Sequence, residues 1–68
     1  MREWAMEQYE IRIVREGRAI RVYPSLQAGD YAAIRRGRAL ANRQEGFEVW
    51  RADTCVYIQP AETMHAYL

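Results

Sequence analysis

The side chains with the widest chemical range are few: one cysteine, Cys55, and one histidine, His65. A nucleophile needs a base within hydrogen-bond reach and a third group to orient that base. His65 stands between Met64 and Ala66 with no partner near it in the chain. Cys55 lies between Thr54 and Val56, surroundings that leave a thiol inert rather than acidified. One thiol and one imidazole fall short of a zinc site, and a lone cysteine closes no disulfide within the chain. Glu45 and Glu48 come closest to a carboxylate pair, but their spacing sets them across a helix–strand junction, without the burial that tunes such groups for acid–base work. No glycine-rich phosphate loop and no nucleophile elbow occurs. The residues predict a non-catalytic protein that needs no cofactor and no metal.

Binding chemistry is better represented. All ten basic residues are arginines, set against nine acids for a net charge of +1, and eight residues are aromatic. Arginine in such balance reads first as a compositional bias and only second as a polyanion signature. The chain has 68 residues, room for a single domain at 1–68 and for a thin core. Without a disulfide or a metal, a second copy is the remaining source of stability. The longest apolar runs, Tyr31 to Ile34 and Cys55 to Ile58, are four residues each, so no stretch is built to span a bilayer. Glu3 and Glu7 fall where an export signal would be apolar, and the free thiol fits a reducing compartment; the expected location is cytoplasmic.

The elements that position these side chains follow from periodicity. Strict alternation from Tyr9 to Tyr23 around Glu16-Gly17 predicts a β-hairpin, with Ile13 opposite Ile20 and Ile11 opposite Val22. Pro24, lacking an amide donor, is expected to end the second strand. Ala33, Ile34, Gly37, Leu40 and Ala41 recur on one face of a helix, with Asp30 as its cap and Gly46 as its stop. Gly37 on that inner face would let the helix axis approach a sheet. Phe47 to Trp50 and Cys55 to Gln59 form a second hairpin around Ala52-Asp53 or Ala52-Asp53-Thr54; the two-residue tip sets Val49 opposite Val56 and Phe47 opposite Ile58, and Pro60 closes it.

Two hairpins around one helix predict an α+β fold: a four-stranded antiparallel sheet of order 2-1-3-4 with the helix on one face. The ordered core spans about 9–59, with tails at 1–8 and 60–68. The predicted dry side holds Tyr9, Ile11, Ile13, Ile20, Val22, Ile34, Leu40, Phe47, Val49, Val56 and Ile58. The open side holds Trp50, Tyr57, Tyr23, Cys55 and Val14 among Arg12, Arg21, Glu10 and Glu48, an apolar patch of roughly 500 Å² if it is covered by a partner. The expected role is a protein-interaction module forming a homodimer through this face, with an unrelated protein partner left open. The alternative is single-stranded nucleic acid, with rings stacking bases and arginines holding phosphates. Glu45 to Trp50 brushes the sheet motif of RNA-recognition domains, but Glu45 stands where that motif has a basic residue and Glu48 where it has a small one. Arg35, Arg36, Arg38 and Arg43 offer phosphate contacts from the helix instead, against the plainer reading of a solvated face.

Three stretches carry a resemblance: Tyr9-Glu10-Ile11-Arg12-Ile13-Val14-Arg15-Glu16-Gly17-Arg18, the helix start Asp30-Tyr31-Ala32-Ala33-Ile34, and Phe47-Glu48-Val49-Trp50-Arg51. Together they make the chain similar to short uncharacterised alphaproteobacterial proteins with a hairpin-helix-hairpin layout. The likeness implies the same fold and adds no activity. Ala52-Asp53-Thr54 departs from the Asp-Gly type of turn it implies at the second tip. That leaves the second register open by one residue, and with it the side on which Trp50 stands.

Overall fold

The computed structural model describes residues 5–62. Within them, β1 (Glu7–Arg15), β2 (Arg18–Gln27), α1 (Asp30–Leu40), β3 (Gly46–Arg51) and β4 (Thr54–Gln59) follow in order. The four strands form one sheet of order β2-β1-β3-β4 with every neighbour antiparallel, as the two-hairpin reading requires. Trp4, His65 and the tail past Glu62 lie outside the described residues. No helix among the described residues is long and apolar enough to cross a membrane.

Both tips form where expected. Glu16 and Gly17 both take positive φ (53° and 80°), the pattern of the tight turn whose twist matches that of the flanking strands. At the second tip Ala52 takes φ 54°. Next to each tip the pairing is the predicted one: Val14 opposite Ala19, and Trp50 opposite Cys55. One residue farther on, each outer strand inserts a bulge. Ile13 pairs with Arg21 and leaves Ile20 over, while Val49 pairs with Tyr57 and leaves Val56 over.

A bulge shifts the rest of its strand by one position and so exchanges its two faces. Arg21 and Tyr23 therefore stand on the helix side beside Ile13 and Ile11, and Tyr57 beside Val49. Val22 and Ile58 turn to the open side, 52% and 63% exposed, and Ile20 is 43% exposed. These six placements correct the predicted faces. The buried core is Tyr9, Ile11, Ile13, Ala33, Phe47 and Val49, with Tyr23, Ile34, Leu40, Val56 and Tyr57 packed at its margin.

Geometry explains why the margin suits tyrosine. A helix about 10 Å wide covers roughly two strands spaced ~4.8 Å apart. Here α1 lies over β1 and β3 and reaches β2. At the edge of that cover a ring can pack while its hydroxyl meets a polar partner. Tyr57 does so, tilted against Phe47 with centroids 5.7 Å apart. Its hydroxyl donates to Gln59 (2.8 Å) and accepts from Arg38 (3.3 Å).

The helix is held close by Gly37, which lies buried against Phe47. Its boundaries differ from the sequence reading. Gly29, not Asp30, precedes the first turn, and the helix ends at Leu40, so that Gly46 opens β3 instead of stopping α1. Gly46 has another reason to be glycine: a Cβ there would lie 2.4 Å from the Gln59 carbonyl oxygen. Pro24 does not end β2 either, which continues to Gln27. β2 is an edge strand, one of the few places in a sheet where proline is accommodated.

Candidate functional site

The open face is built from alternate residues of the four strands. One cross-strand row reads Val22, Arg12, Glu48, Ile58, each directly opposite the next. The neighbouring row reads Pro24, Glu10, Trp50, Cys55. Leu26, 59% exposed, extends the apolar margin along β2. Charged groups thus occupy the two central strands, and aliphatic groups occupy the two edges.

The centre is ordered by its own contacts. The Arg12 guanidinium lies 4.4 Å from the centroid of the Trp50 ring and donates from Nε to Glu10. Trp50 donates its indole N–H to Glu48 Oε1 at 2.9 Å. The indole is therefore pinned between an arginine and a glutamate, and one of its faces is already occupied. At one end of this surface Val14, Gly46, Ile58 and Pro60 line a mainly apolar groove of about 330 Å³.

Of the predicted site residues, Trp50, Arg12, Val14 and Cys55 share the open side. Tyr57, Tyr23 and Arg21 do not. Tyr23 and Tyr57 pack at the core margin, and Arg21 donates from Nε to the Tyr23 hydroxyl (3.0 Å) and from Nη2 to Glu45 (2.9 Å). No group of three or more metal-binding side chains occurs among the described residues.

Sequence reasoning missed two carboxylates, one that locks the helix to the sheet and one that locks the loop after it. Asp30, in the first turn of α1, accepts from the Tyr9 hydroxyl and from Arg51. Glu45, expected to lie unburied, has a side chain only 2% exposed and contacts Arg21 and, at 3.7 Å, Arg15. It also accepts from the Asn42 backbone N–H (3.2 Å), while the Glu45 N–H returns a bond to the Asn42 carbonyl. The local signal was the Asn42-to-Glu45 spacing, a reciprocal pattern like that of a capping box. The arginine partners lie 24 and more residues away and left no trace.

Both carboxyls are held below their ordinary range. For Asp30 the Tyr9 hydroxyl contributes most and Arg51 next; for Glu45 the Asn42 N–H contributes most, opposed by burial and aided by Arg21. A carboxyl acidified by folding stabilises the fold at neutral pH and loses that contribution as the pH falls through the carboxylate range. Thermal melts taken from about pH 7 down to about pH 3 should show the midpoint falling below about pH 5. Glu45→Gln should melt lower at neutral pH and show a flatter descent. A Glu45→Gln profile parallel to that of the wild type would remove Glu45 as a cause.

No protein-family model matches the chain, and neither a curated protein nor a solved structure is similar enough to stand as a relative.

Proposed function

We propose that this chain is a small, non-catalytic protein-interaction module that self-associates through the open face of its sheet. The observation that carries the reading is the row Val22–Arg12–Glu48–Ile58. It runs aliphatic, positive, negative, aliphatic. A two-fold axis parallel to the strands, passing between β1 and β3, lays a second copy of the row over the first in reverse. Arg12 then faces Glu48 of the other copy, and Val22 faces Ile58, twice each by symmetry. Sheets pack face to face within about 30° of alignment, so residues near the axis stay matched despite the twist.

The bulges support the same reading. Besides the contacts they bring within the chain, they leave Val22 and Ile58 in water, a cost to a solitary molecule that a partner sheet would remove. In such a pair the aliphatic margins supply the drive, and the central charges select the register. Single-stranded nucleic acid on this face is less well supported. Among the described residues Trp50 is the one aromatic left there, Arg12 lies 4.4 Å over its ring, and Glu10 and Glu48 outnumber the single arginine.

The test is a charge exchange read by light scattering. Arg12→Glu sets like charges face to face at both symmetry-related contacts, and so does Glu48→Arg; each alone should weaken association about tenfold or more. Mixed together, the two variants should form a heterodimer, because each contact then joins opposite charges. Mixing leaves strain within either chain unchanged, so recovery reports the contact between copies. Wild-type protein that runs at its monomer mass of 8.0 kDa at tens of micromolar would end the proposal, as would single variants that associate like the wild type.

A further inference from the structure

From Tyr31 to Gln44 the chain has four arginines and no acid. Two of these four have partners, Arg43 at Glu62 and Arg38 at Tyr57 and Gln59, and in the strands Arg12, Arg15, Arg21 and Arg51 meet carboxylates. Among the described residues Arg35 and Arg36 meet no carboxylate, and both are exposed on the outer side of α1. With Gln27 and Ala32 they line a concavity of about 350 Å³ where the helix passes the end of β2. One turn before Arg35, Tyr31 is 73% exposed, with the Arg35 guanidinium 5.9 Å from its ring centroid.

We infer that this helix face binds single-stranded nucleic acid, with Arg35 and Arg36 gripping backbone phosphates and Tyr31 giving a base a surface to stack on. A guanidinium fork matches two phosphate oxygens at once, and a guanidinium without a carboxylate has no bond to give up on binding. An acidic peptide would use the arginines but leave Tyr31 without a role. The ring beside the two grips is the feature that selects a strand carrying bases. A membrane surface fits less well, since the outward side of α1 presents Tyr31, Arg35, Arg36 and Ala39 with no aliphatic face to insert. The carboxylates of the helix side, Asp30 and Glu45, are held by Arg51 and by Arg21 and Arg15, while Glu10 and Glu48 lie on the other side of the sheet. The site is independent of the proposed dimer, which would cover the other face and leave both helices outward.

The experiment is fluorescence anisotropy of an end-labelled oligodeoxythymidylate titrated with the full chain at several salt concentrations. Wild-type protein should bind at low salt and release as salt rises. Arg35→Ala with Arg36→Ala should weaken binding about tenfold or more and flatten the log–log salt slope by about 1.4, two single-strand phosphate contacts at ~0.7 each. Tyr31→Ala should weaken oligonucleotide binding while leaving any polyglutamate binding unchanged. Arg18→Ala, at an exposed arginine of the first hairpin, should match the wild type. Absence of binding at the lowest salt, or a double arginine variant that binds like the wild type, would overturn the inference. So would Trp50→Ala weakening binding as much as the arginine variant, which would move the site to the sheet. Polyglutamate competing as well as the oligonucleotide, with Tyr31→Ala altering neither, would reassign the face to an acidic protein.

Discussion

Ile13→Ala should abolish cooperative unfolding near the wild-type melting temperature and leave much of the chain unfolded at room temperature. Ile13 is fully buried, lies opposite Phe47 on β3, and belongs to a core of six buried apolar residues among the described ones. Truncating a buried isoleucine costs ~2–5 kcal/mol, from lost transfer energy and from the cavity left behind. At ~0.05–0.15 kcal/mol per residue, a chain this short has roughly 3–10 kcal/mol in all. The deletion therefore takes a large share of the total. Ile20→Ala is the matched control. The same side chain is removed one strand away, but Ile20 is the extra residue of a bulge and partly in water, so its loss should cost under about 1 kcal/mol. Circular dichroism melts of both variants decide the matter. Equal losses would mean that the first hairpin pairs without the bulge, and a wild-type melt for Ile13→Ala would remove it from the core.

Gly37→Ala is expected to destabilise the protein, against the direction that helix propensity dictates. Alanine is the better helix former by about 1 kcal/mol. A Cβ at Gly37, however, would lie 2.4 Å from Phe47 Cδ2 and 2.6 Å from Cε2. That ring is 1% exposed and has Tyr57 against it, so it has little room to swing aside. Overpacking of this kind costs ~1–3 kcal/mol, and the helix must lift or the ring must leave its rotamer. The diagnostic is a double-mutant cycle with Phe47→Leu. That change alone opens a space in the core and lowers stability. Combined with Gly37→Ala, it receives the new methyl, so the double variant should be more stable than the two separate losses predict. A Gly37→Ala protein that melts above the wild type would show that the helix stands farther from β3 than described.

The helix and the hairpin tips were legible because their signals are local. The spacing of Ala33, Ile34, Gly37, Leu40 and Ala41 marks the inner face of α1, and that face is the one packed on the sheet. Glu16-Gly17 marks a tip that needs positive φ, and the residues beside it pair as that tip dictates. The candidate surface was legible by half. Arg12, Val14, Trp50 and Cys55 lie on the expected side, while Tyr23, Tyr57 and Arg21 do not. Alternation in Ala19 to Tyr23 assigns Ile20 and Val22 to the interior on hydrophobicity alone. It carries no record of Glu45, which uses Arg21 as a partner on the helix side. Nor does it record how narrow a single helix is, so that rings with hydroxyl ends suit the covered margin better than aliphatic side chains. Asp30 was misread for a similar reason. Its type and position suit a cap, yet its carboxylate is bound by Tyr9 and Arg51, each 21 residues away.

What the amino-acid order settled unaided was the succession of elements and the inner face of the helix, which rest on repeats of two or 3.6 residues and on nearby turn residues. It also settled the antiparallel strand order, which follows from that succession and a right-handed crossover. What only the folded molecule decided was which face of each outer strand lies under the helix. A single inserted residue reverses that choice at the loss of little more than one pairing. The choice is governed by the contacts of two buried groups, Glu45 with Arg21 and Phe47 with Tyr57, that meet only when distant parts of the chain come together.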